Sequence, residues 1–501
     1  MTQDAERIPV IVGVGQINDL PLTPDAGLDP IQLMTAALQE AESDARGDWL
    51  KDLDVLSVVD QMSFRSLNPV LHALTQAIGA NPSHRFQTTV PMGDSPIMLL
   101  NEAANRIASG ESKIAAVVGA EALRTAAQRA AAAKGGSAAD HNAIRARHDD
   151  RPLSYKQRYG LAAPVDVYPL YENATRAAWH QSLSEGQAES GEIWSLFSQV
   201  AAENPGAWIQ SPKTVEEIVT ATANNRPIAF PYTKFMVANS SVNQGAGFIV
   251  TSLAMARARG VPEDKIIYVG MGAAAHEADD FLARDSYTHS AGMRVSLEET
   301  LRLNALTIAD IDFAELYSCF PCVPKMARRI IGWPADRPAT VFGGLTFGGG
   351  PIGNYMSHAV VSMVLKLRRE GKTGLLFANG GFATHNHSIL VSNQPIAAAH
   401  FPQNFDYQAQ ADALRGAIPP LDEDYAGAGI IETYTVFYDR TGAPRHGVVV
   451  ARNTAGARFL AKVAGDDASG IALLSDGRVE PVGTSGTATR DEDSLLYWKC
   501  A

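Results

Sequence analysis

Residues 340–358, TVFGGLTFGGGPIGNYMSH, are the stretch around which the rest of the chain is organised. The stretch holds six glycines and one proline and precedes an apolar run, 359–367, that predicts a helix. Glycines let a backbone loop approach a ligand closely, and a helix N-terminus points free N–H groups at the same place. The alternative is a buried turn whose glycines supply positive φ angles.

Two flanking segments favour a ligand site over a simple turn. ELYSCF at 315–320 and FANGGF at 377–382 each end a hydrophobic, strand-like run, and both carry polar side chains. Loops that follow the strands of an α/β sheet meet at one edge of that sheet. The sequence therefore predicts that the three segments line one pocket.

The composition is typical of a large globular protein. The chain has 501 residues, of which 46% are hydrophobic and 19% charged. A chain of this length is expected to form about two to four domains. The formal net charge of −12 argues against general nucleic-acid binding, which needs a basic face. We find no basic leader and no run of about 18 apolar residues, so we expect a cytoplasmic protein without a membrane span.

The cysteines argue against disulfides and metal. Cys319, Cys322 and Cys500 are three in number, which suits a reducing compartment. Cys319 and Cys322 form a CFPC sequence, but no second Cys/His pair stands at metal-ligand spacing, so we expect no metal site. A redox role for CFPC is the weaker interpretation, because the strand and long helix of a thioredoxin-type motif do not clearly flank it.

Strands and helices alternate along the first part of the chain. Buried strands are predicted at 8–14, 53–64 and 113–119, and helices at 31–43, 68–78 and 95–109. This order indicates a parallel sheet with right-handed crossovers. Residues 123–235 predict a helical insertion, and the alternation resumes with a turn and a helix over 236–259. KIAAVVGAE at 113–121 and KTGLLFANG at 372–380 are alike, which predicts a duplicated α/β unit.

The composition changes after residue 402. Residues 430–438, 447–452 and 457–464 predict short antiparallel strands at regular intervals. This spacing indicates a small OB-like β-barrel of roughly 75 residues. The segment lacks the basic and aromatic stripe that binds single-stranded nucleic acid, so we expect a packing or substrate-gating role.

Four segments between residues 6 and 400 resemble the thiolase superfamily, and within it the thiolase-like proteins related to the SCP2-thiolases. NSSVNQGA at 239–246 is similar to the turn whose serine, here Ser241, lies along the pantetheine of coenzyme A. YSCF at 317–320 matches the NEAF or HDCF box, GGPIG at 349–353 the GHPxG loop, and ANG at 378–380 the CxG loop. The added β-domain resembles the C-terminal extension of the type 1 members.

The resemblance implies an α/β fold of two βαβαβαββ halves in five layers, αβαβα, with a helical insertion and a C-terminal OB-like β-barrel. Residues 1–122 and 236–280 would form the N-terminal half, 123–235 the helical loop domain, 281–402 the C-terminal half and 403–501 the added domain. It also implies CoA or acyl-CoA as substrate or ligand, no covalently bound cofactor, and a role in lipid metabolism. A monomer and a homodimer both stay open.

The four catalytic positions of the thiolases carry different side chains in this chain. The acyl-accepting cysteine falls on the pair Met92-Gly93, the GHP histidine on Gly350, the second cysteine on Ala378, and the Asn or His of the box on Tyr317. No thiolate forms at the first of these positions. Ping-pong acyl transfer through a thioester is therefore unavailable by the thiolase route.

Tyr317 is the leading catalytic candidate. A buried tyrosine donates to a carbonyl oxygen or, with a lowered pKa, takes a proton from a hydroxyl. Thiolase-like aldolases that cleave β-hydroxyacyl-CoA thioesters also place a tyrosine in this box. Their second tyrosine would fall on Gly350, for which Tyr355 is a stand-in only if the loop folds back. The N–H of Gly380 is a predicted oxyanion donor.

The other candidate residues each have a structural alternative. Predicted catalytic residues besides Tyr317 are Cys319, Asn379, His385 and His358, with His387 on the same face of the strand as His385. Predicted CoA-binding residues are Ser241, Gly349, Gly350 and Gly380. A buried cysteine is often inert, a histidine often serves packing, Met92 fills space, and a serine forms turns.

Two classes of function follow. The first is an enzyme on acyl-CoA, either an acyltransferase or a carbon–carbon lyase such as a retro-aldolase, with Tyr317 and backbone oxyanion donors. The second is a non-catalytic CoA or acyl-CoA binding protein or partner subunit. Buried polar residues cost free energy unless they are paired, and their retention favours the enzyme. A dinucleotide oxidoreductase is excluded, because GVGQIN after the first strand lacks the third glycine.

Overall fold

The computed structural model describes residues 4–133 and 152–500. Its strands are β1 (Pro9–Asn18), β2 (Val55–Val58), β3 (His84–Gln87), β4 (Ile114–Ala122), β5 (Pro227–Ala229), β6 (Tyr232–Thr233), β7 (Asn243–Ser252), β8 (Ile267–His276), β9 (Phe313–Leu316), β10 (Thr373–Gly380), β11 (His385–Ser392), β12 (Gly427–Tyr438), β13 (Pro444–Asn453), β14 (Arg458–Ala464), β15 (Ser485–Arg490) and β16 (Leu496–Cys500).

The helices fill the connections between these strands. They are α1 (Pro30–Ala45), α2 (Leu71–Ala77), α3 (Ser95–Ser109), α4 (Leu123–Ala133), α5 (Tyr155–Arg158), α6 (Pro164–Ala178), α7 (Leu183–Glu203), α8 (Val215–Val219), α9 (Leu253–Ala258), α10 (Ala291–Leu303), α11 (Cys322–Ile331), α12 (Tyr355–Leu367), α13 (Gln408–Leu414) and α14 (Ala468–Ser475). None of the helices in these described ranges is long and apolar enough to cross a membrane.

The first strand and helix show how local sequence sets the elements. Asp29 caps α1, because its carboxylate accepts the N–H of Gln32 and the Gln32 side chain accepts the N–H of Asp29. Along β1, Val10 and Val12 belong to the cluster beneath α1, whereas Ile11 faces the inner core. The apolar run of β1 is therefore buried on both faces.

The duplication predicted from the sequence is present in the sheet. The strand order is β3-β2-β4-β7-β1-β8-β11-β10-β9, so each half places its last strand between its first strand and the sheet strand that precedes the last one, β4 or β10. β4 and β10, whose sequences are alike, occupy equivalent places. In each half the last strand, β7 or β11, is antiparallel to both of its neighbours, so the sheet is mixed and not parallel throughout.

The turn and helix predicted over 236–259 are wrong for most of that range. Residues 243–252 form β7, and only Leu253–Ala258 is helical. β7 lies between β4 and β1 and is buried on both faces, so its sequence lacks the alternation that marks a half-exposed strand.

The two halves enclose a central helical layer. α3 and α12 contact each other and strands of both halves, while α1 covers β1, β4 and β7 and α10 covers β8 and β11 on the outside. This arrangement is the five-layer αβαβα order. Of the three segments from which the sequence predicted the site, the glycine loop precedes α12, and the other two follow β9 and β10.

The C-terminal strands close into a barrel. The order β12-β13-β14-β16-β15 returns to β12, with β14 and β16 parallel and α14 between β14 and β15. This is an OB-type order, as predicted. The barrel packs against the insertion, because β5 pairs with β12 through Ala229 and Phe437.

Candidate active site

Three loops meet over the start of α3. A Cβ atom added to Gly93 would lie 2.2 Å from the Tyr317 hydroxyl oxygen and 2.2 Å from the Asn379 carbonyl oxygen. A Cβ added to Gly353, in the glycine loop, would lie 2.6 Å from the carbonyl carbon of Pro91. The three segments singled out in the sequence therefore converge on the start of α3, next to Gly93.

Tyr317 is held in a strained conformation. Its φ of 38° lies in the left-handed region, as do those of Ile352 and Ala383 in the other two loops. Its ring stands edge to face against Tyr355, with 5.6 Å between the ring centroids. The hydroxyl forms no hydrogen bond with any residue in the described ranges. Burial raises the pKa of Tyr317 well above its usual value, so the group is a proton donor and not the low-pKa base considered above.

A tyrosine from the insertion closes one side of the site. The Tyr168 hydroxyl lies 2.9 Å from Asn379 Oδ1 and 3.2 Å from the Gly381 carbonyl oxygen, and it accepts the N–H of Ala383 at 2.8 Å. Its ring stacks on Phe320 at 4.5 Å. The sequence analysis missed Tyr168, because nothing local marks which residue of a helical insertion reaches the core.

An acidic and imidazole cluster lies beside Tyr317. Asp94 precedes α3 and is 6% exposed, and its carboxylate makes no hydrogen bond with another described residue. His276 and His385 lie opposite each other on β8 and β11, with 4.6 Å between their ring centroids. Burial raises the pKa of Asp94, and the charges of His385 and His276 oppose that shift.

The carboxylate of Asp94 faces the predicted oxyanion loop. A Cβ on Gly380 would lie 3.1 Å from the Gly93 nitrogen and 3.3 Å from Asp94 Oδ1. Sequence reasoning placed His385 in the site but missed Asp94 and His276. Asp94 stands two residues after Met92, the position of the missing cysteine, and this spacing was the signal that could have found it.

Tyr355 is committed to a buried carboxyl group. Its hydroxyl donates to Glu315 Oε1 at 2.8 Å, and the Thr340 hydroxyl and the Val341 N–H donate to Oε2 at 2.8 and 3.0 Å. Burial raises the pKa of Glu315 to about 7. Tyr355 therefore stays at the first turn of α12, where it supports the Tyr317 ring, and it does not fold back over Gly350.

Three other candidates from the sequence, Cys319, His358 and His387, are buried and packed against neighbouring side chains. Burial raises the pKa of the Cys319 thiol to about 12, so it is not a thiolate at neutral pH. His358 is fully buried, stacks on Phe342 and faces Gln16 Oε1 at 3.1 Å, and burial lowers its pKa to about 3. His387 shares the α3-facing side of β11 with His385, and its Nε2 lies 2.6 Å from the Asn101 amide nitrogen.

The predicted CoA-binding loops lie next to one another. The Gly350 N–H donates to the Asn239 carbonyl oxygen at 2.8 Å, which places the turn of the half-buried Ser241 against the glycine loop. Gly349 has a φ of 108°, and a Cβ there would lie 2.2 Å from Gln244 Oε1. Glycine is therefore required at this position for two reasons, the positive φ angle and the close approach of the Gln244 side chain. Ala378 is buried within β10, and Met92 is half-buried.

Comparison with known proteins gives one family profile that matches the C-terminal region and one solved structure that matches nearly the whole chain. The profile of the thiolase-like protein type 1 additional C-terminal domain matches residues 408–493. A monomeric SCP2-thiolase like protein type 1 from Mycobacterium smegmatis is 31% identical, with 99% of each chain covered and a TM-score of 0.82. No curated protein sequence matches the chain.

More distant structures share the fold over 78% of this chain. The Ltp2-ChsH2(DUF35) aldolase is 18% identical, with a TM-score of 0.58 over 78% of this chain and 99% of its own. Human mitochondrial 3-ketoacyl-CoA thiolase, solved in complex with CoA, is 14% identical, with a TM-score of 0.56 over 78% of this chain and 99% of its own.

Proposed function

Because the chain belongs to the SCP2-thiolase-like proteins of type 1, we propose that it binds an acyl-CoA thioester and breaks or forms a carbon–carbon bond in it by acid–base chemistry. The observation that carries this proposal is the position of the Tyr317 hydroxyl. It lies over Gly93, where a thiolase holds its nucleophile, it has no protein partner among the described residues, and a strained φ keeps it there.

Acyl transfer through a covalent intermediate is the less favoured enzyme reaction. The positions of the two thiolase cysteines are Met92 and Ala378. Burial raises the pKa of Cys319 to about 12 and that of Cys322, the neighbouring buried cysteine, well above its usual value, so neither supplies a nucleophile in their place.

A retro-aldol cleavage of a β-hydroxyacyl-CoA uses the groups that are present. The Asp94 carboxylate, whose pKa burial raises, takes the proton of the β-hydroxyl group. The bond between the α- and β-carbons breaks, the β-carbon becomes a carbonyl group, and the electron pair forms the thioester enolate. Tyr317 O–H and the N–H of Gly380 hold the enolate oxygen, and the proton on Asp94 returns to the α-carbon. The fold is shared with an aldolase, which makes this chemistry compatible with the scaffold.

A non-catalytic acyl-CoA binding protein is the second candidate. One observation favours it: Tyr168, from the insertion, fills the space beside Asn379 and bridges it to the loop at Gly381. A side chain in this place narrows the volume available to the reacting carbons while it leaves the CoA loops untouched.

The test is a binding and turnover screen with acetyl-CoA, acetoacetyl-CoA and β-hydroxybutyryl-CoA, by calorimetry and mass spectrometry. We expect β-hydroxybutyryl-CoA to give acetyl-CoA and acetaldehyde. Tyr317→Phe and Asp94→Asn should each lower kcat by about 10²–10⁴ while binding survives. Tyr287→Phe is the matched control, because Tyr287 is equally buried, its hydroxyl is unpaired, and it lies outside the site.

The other outcomes are equally informative. Binding of the CoA esters without conversion of any of them favours the second candidate. Absence of binding overturns both candidates, since each depends on CoA recognition.

A further inference from the structure

A second cavity lies apart from the candidate active site. It has a volume of about 560 Å³ and is bounded by the C-terminal ends of α7 and α12 and by the start of β9. Thr340 and Val341 line it, and both hydrogen-bond to Glu315, which binds Tyr355. The buried Glu315 and Tyr355 therefore stand between this cavity, called the edge cleft below, and the Tyr317 ring.

The edge cleft lies where the duplication is incomplete. The N-terminal half has an outer strand, β3, beside β2, but β9 ends the sheet on the other side. The segment before α12 runs beside β9 and makes a single ladder bond there, from the Leu316 N–H to the Ala339 carbonyl oxygen. Arg337 then turns its guanidinium onto the carbonyl oxygens of Ile311 and Asp312. The space beside Phe313 that a longer strand would fill is open.

The lining of the edge cleft is apolar with a cationic rim. Its apolar walls are formed by Val200, Phe313, Trp333, Val341 and Leu365. Its cations are Lys265, Arg337, Lys366, Arg368 and Arg369, against the carboxylates Asp44, Glu203 and Asp312, which leaves an excess of two positive charges.

Two of these cations, Arg337 and Arg369, form no ion pair with a carboxylate of the described residues. Lys265 and Arg368 share Asp44 at 2.9 and 2.6 Å. Arg337 lies over the Trp333 ring at 4.2 Å, and its hydrogen bonds go to neutral carbonyl groups. The exposed Arg369 side chain makes no hydrogen bond or ion pair with the residues that the structure describes.

We propose that the edge cleft binds an amphipathic anion, a carboxylate on a medium-length hydrocarbon chain. The volume falls within the roughly 300–1,000 Å³ typical of small-molecule sites, and apolar walls with a few converging charges are the usual composition of such sites. The chain lies against Leu365, Val341 and Val200, and the carboxylate pairs with Arg369 and Arg337, since guanidinium groups bind carboxylates in a fork. This site does not depend on the proposed reaction at Tyr317.

The test is calorimetric titration of the full-length protein with decanoate, and with decanol as the neutral probe of the same length. We expect decanoate to bind and decanol to bind at least about tenfold more weakly. Arg369→Glu should weaken decanoate binding by about tenfold or more, because it replaces an attractive charge with a repulsive one at an exposed position. Arg445→Glu, an exposed arginine on the barrel, is the matched control and should leave binding unchanged.

Three results would overturn the edge cleft as an anion site. The first is equal affinity for decanoate and decanol, and the second is equal affinity for decanoate in Arg369→Glu and the wild type. The third is displacement of decanoate by acetyl-CoA, which would place the bound decanoate in the candidate active site. Tyr317→Phe should bind decanoate like the wild type, so a failure of the proposed reaction is separated from a failure of this one.

Discussion

An ion pair between Lys325 and Glu172 holds the helical insertion against the C-terminal half. Lys325 Nζ lies 2.6 Å from Glu172 Oε1 and 2.8 Å from the Gly186 carbonyl oxygen, and the Tyr232 hydroxyl donates to Glu172 Oε2 at 2.9 Å. The two side chains are 0% and 2% exposed. Neither charge is solvated by bulk water, so each depends on the other.

Replacing Lys325 with Met keeps a side chain of similar volume. It leaves the Glu172 carboxylate buried with one remaining hydrogen bond, from the Tyr232 hydroxyl. Loss of one partner of a buried ion pair typically lowers the free energy of unfolding by about 3–5 kcal/mol, and we expect that range for Lys325→Met. The double variant Lys325→Met/Glu172→Gln removes both charges and retains an acceptor for Tyr232. It should recover most of the loss, to within about 1–2 kcal/mol of the wild type.

The assay is reversible urea unfolding followed by circular dichroism and tryptophan fluorescence, with the slope compared between variants. Lys51→Met is the surface control, because the Lys51–Asp48 pair at 3.1 Å is exposed on both sides, and its urea midpoint should equal that of the wild type. A single variant as stable as the wild type, or a double variant no more stable than the single, would refute the reasoning that burial makes each charge depend on the other.

Further predictions concern the candidate site. In Gly93→Ala the methyl group meets the Tyr317 hydroxyl and the Asn379 carbonyl oxygen at 2.2 Å, so the free energy of unfolding should fall by about 1–3 kcal/mol in urea titrations, and an unchanged midpoint would contradict this packing. Burial raises the pKa of Glu315 in the folded protein to about 7, above its ordinary 4.5. The protonated side chain therefore stabilises the fold fully below pH 4.5, and about 3 kcal/mol of the free energy of unfolding is lost as the pH rises through 7. Thermal melts should show this loss of stability with pH in the wild type and not in Glu315→Gln. Burial lowers the pKa of His358 in the folded protein to about 3, below its ordinary 6.5. The neutral side chain therefore stabilises the fold fully above pH 6.5, and the free energy of unfolding falls by about 1.4 kcal/mol per pH unit on acidification. If stability falls as steeply with acid in His358→Gln as in the wild type, this histidine is not the cause.

The sequence predicted more of the fold than of the site. The resemblance between the segments around β4 and β10 indicated the duplication, and the spacing of strands after residue 402 indicated the barrel. The sequence does not reveal β7 as a strand, because a strand buried on both faces lacks the alternation of polar and apolar residues. Periodicity in a sequence reports which faces of an element meet water, and β7 has no face that does.

In the candidate site, too, the sequence indicated some residues and not others. Short motifs singled out Tyr317, Asn379 and Gly380, and the structure brings these residues together around Gly93. The role of Tyr355 was not, since its partner Glu315 lies 40 residues away in the chain.

The sequence alone therefore indicated the fold class and the position of the glycine loop, because periodicity and short motifs are local properties of the chain. The tertiary structure decided which side chains meet. It brought Asp94 to His276 and His385 from three separate elements, set Tyr168 of the insertion against Asn379, and left the edge cleft beside β9. Burial raises the pKa of Asp94 and lowers that of His276, and burial is a property of the packed molecule that no local segment carries.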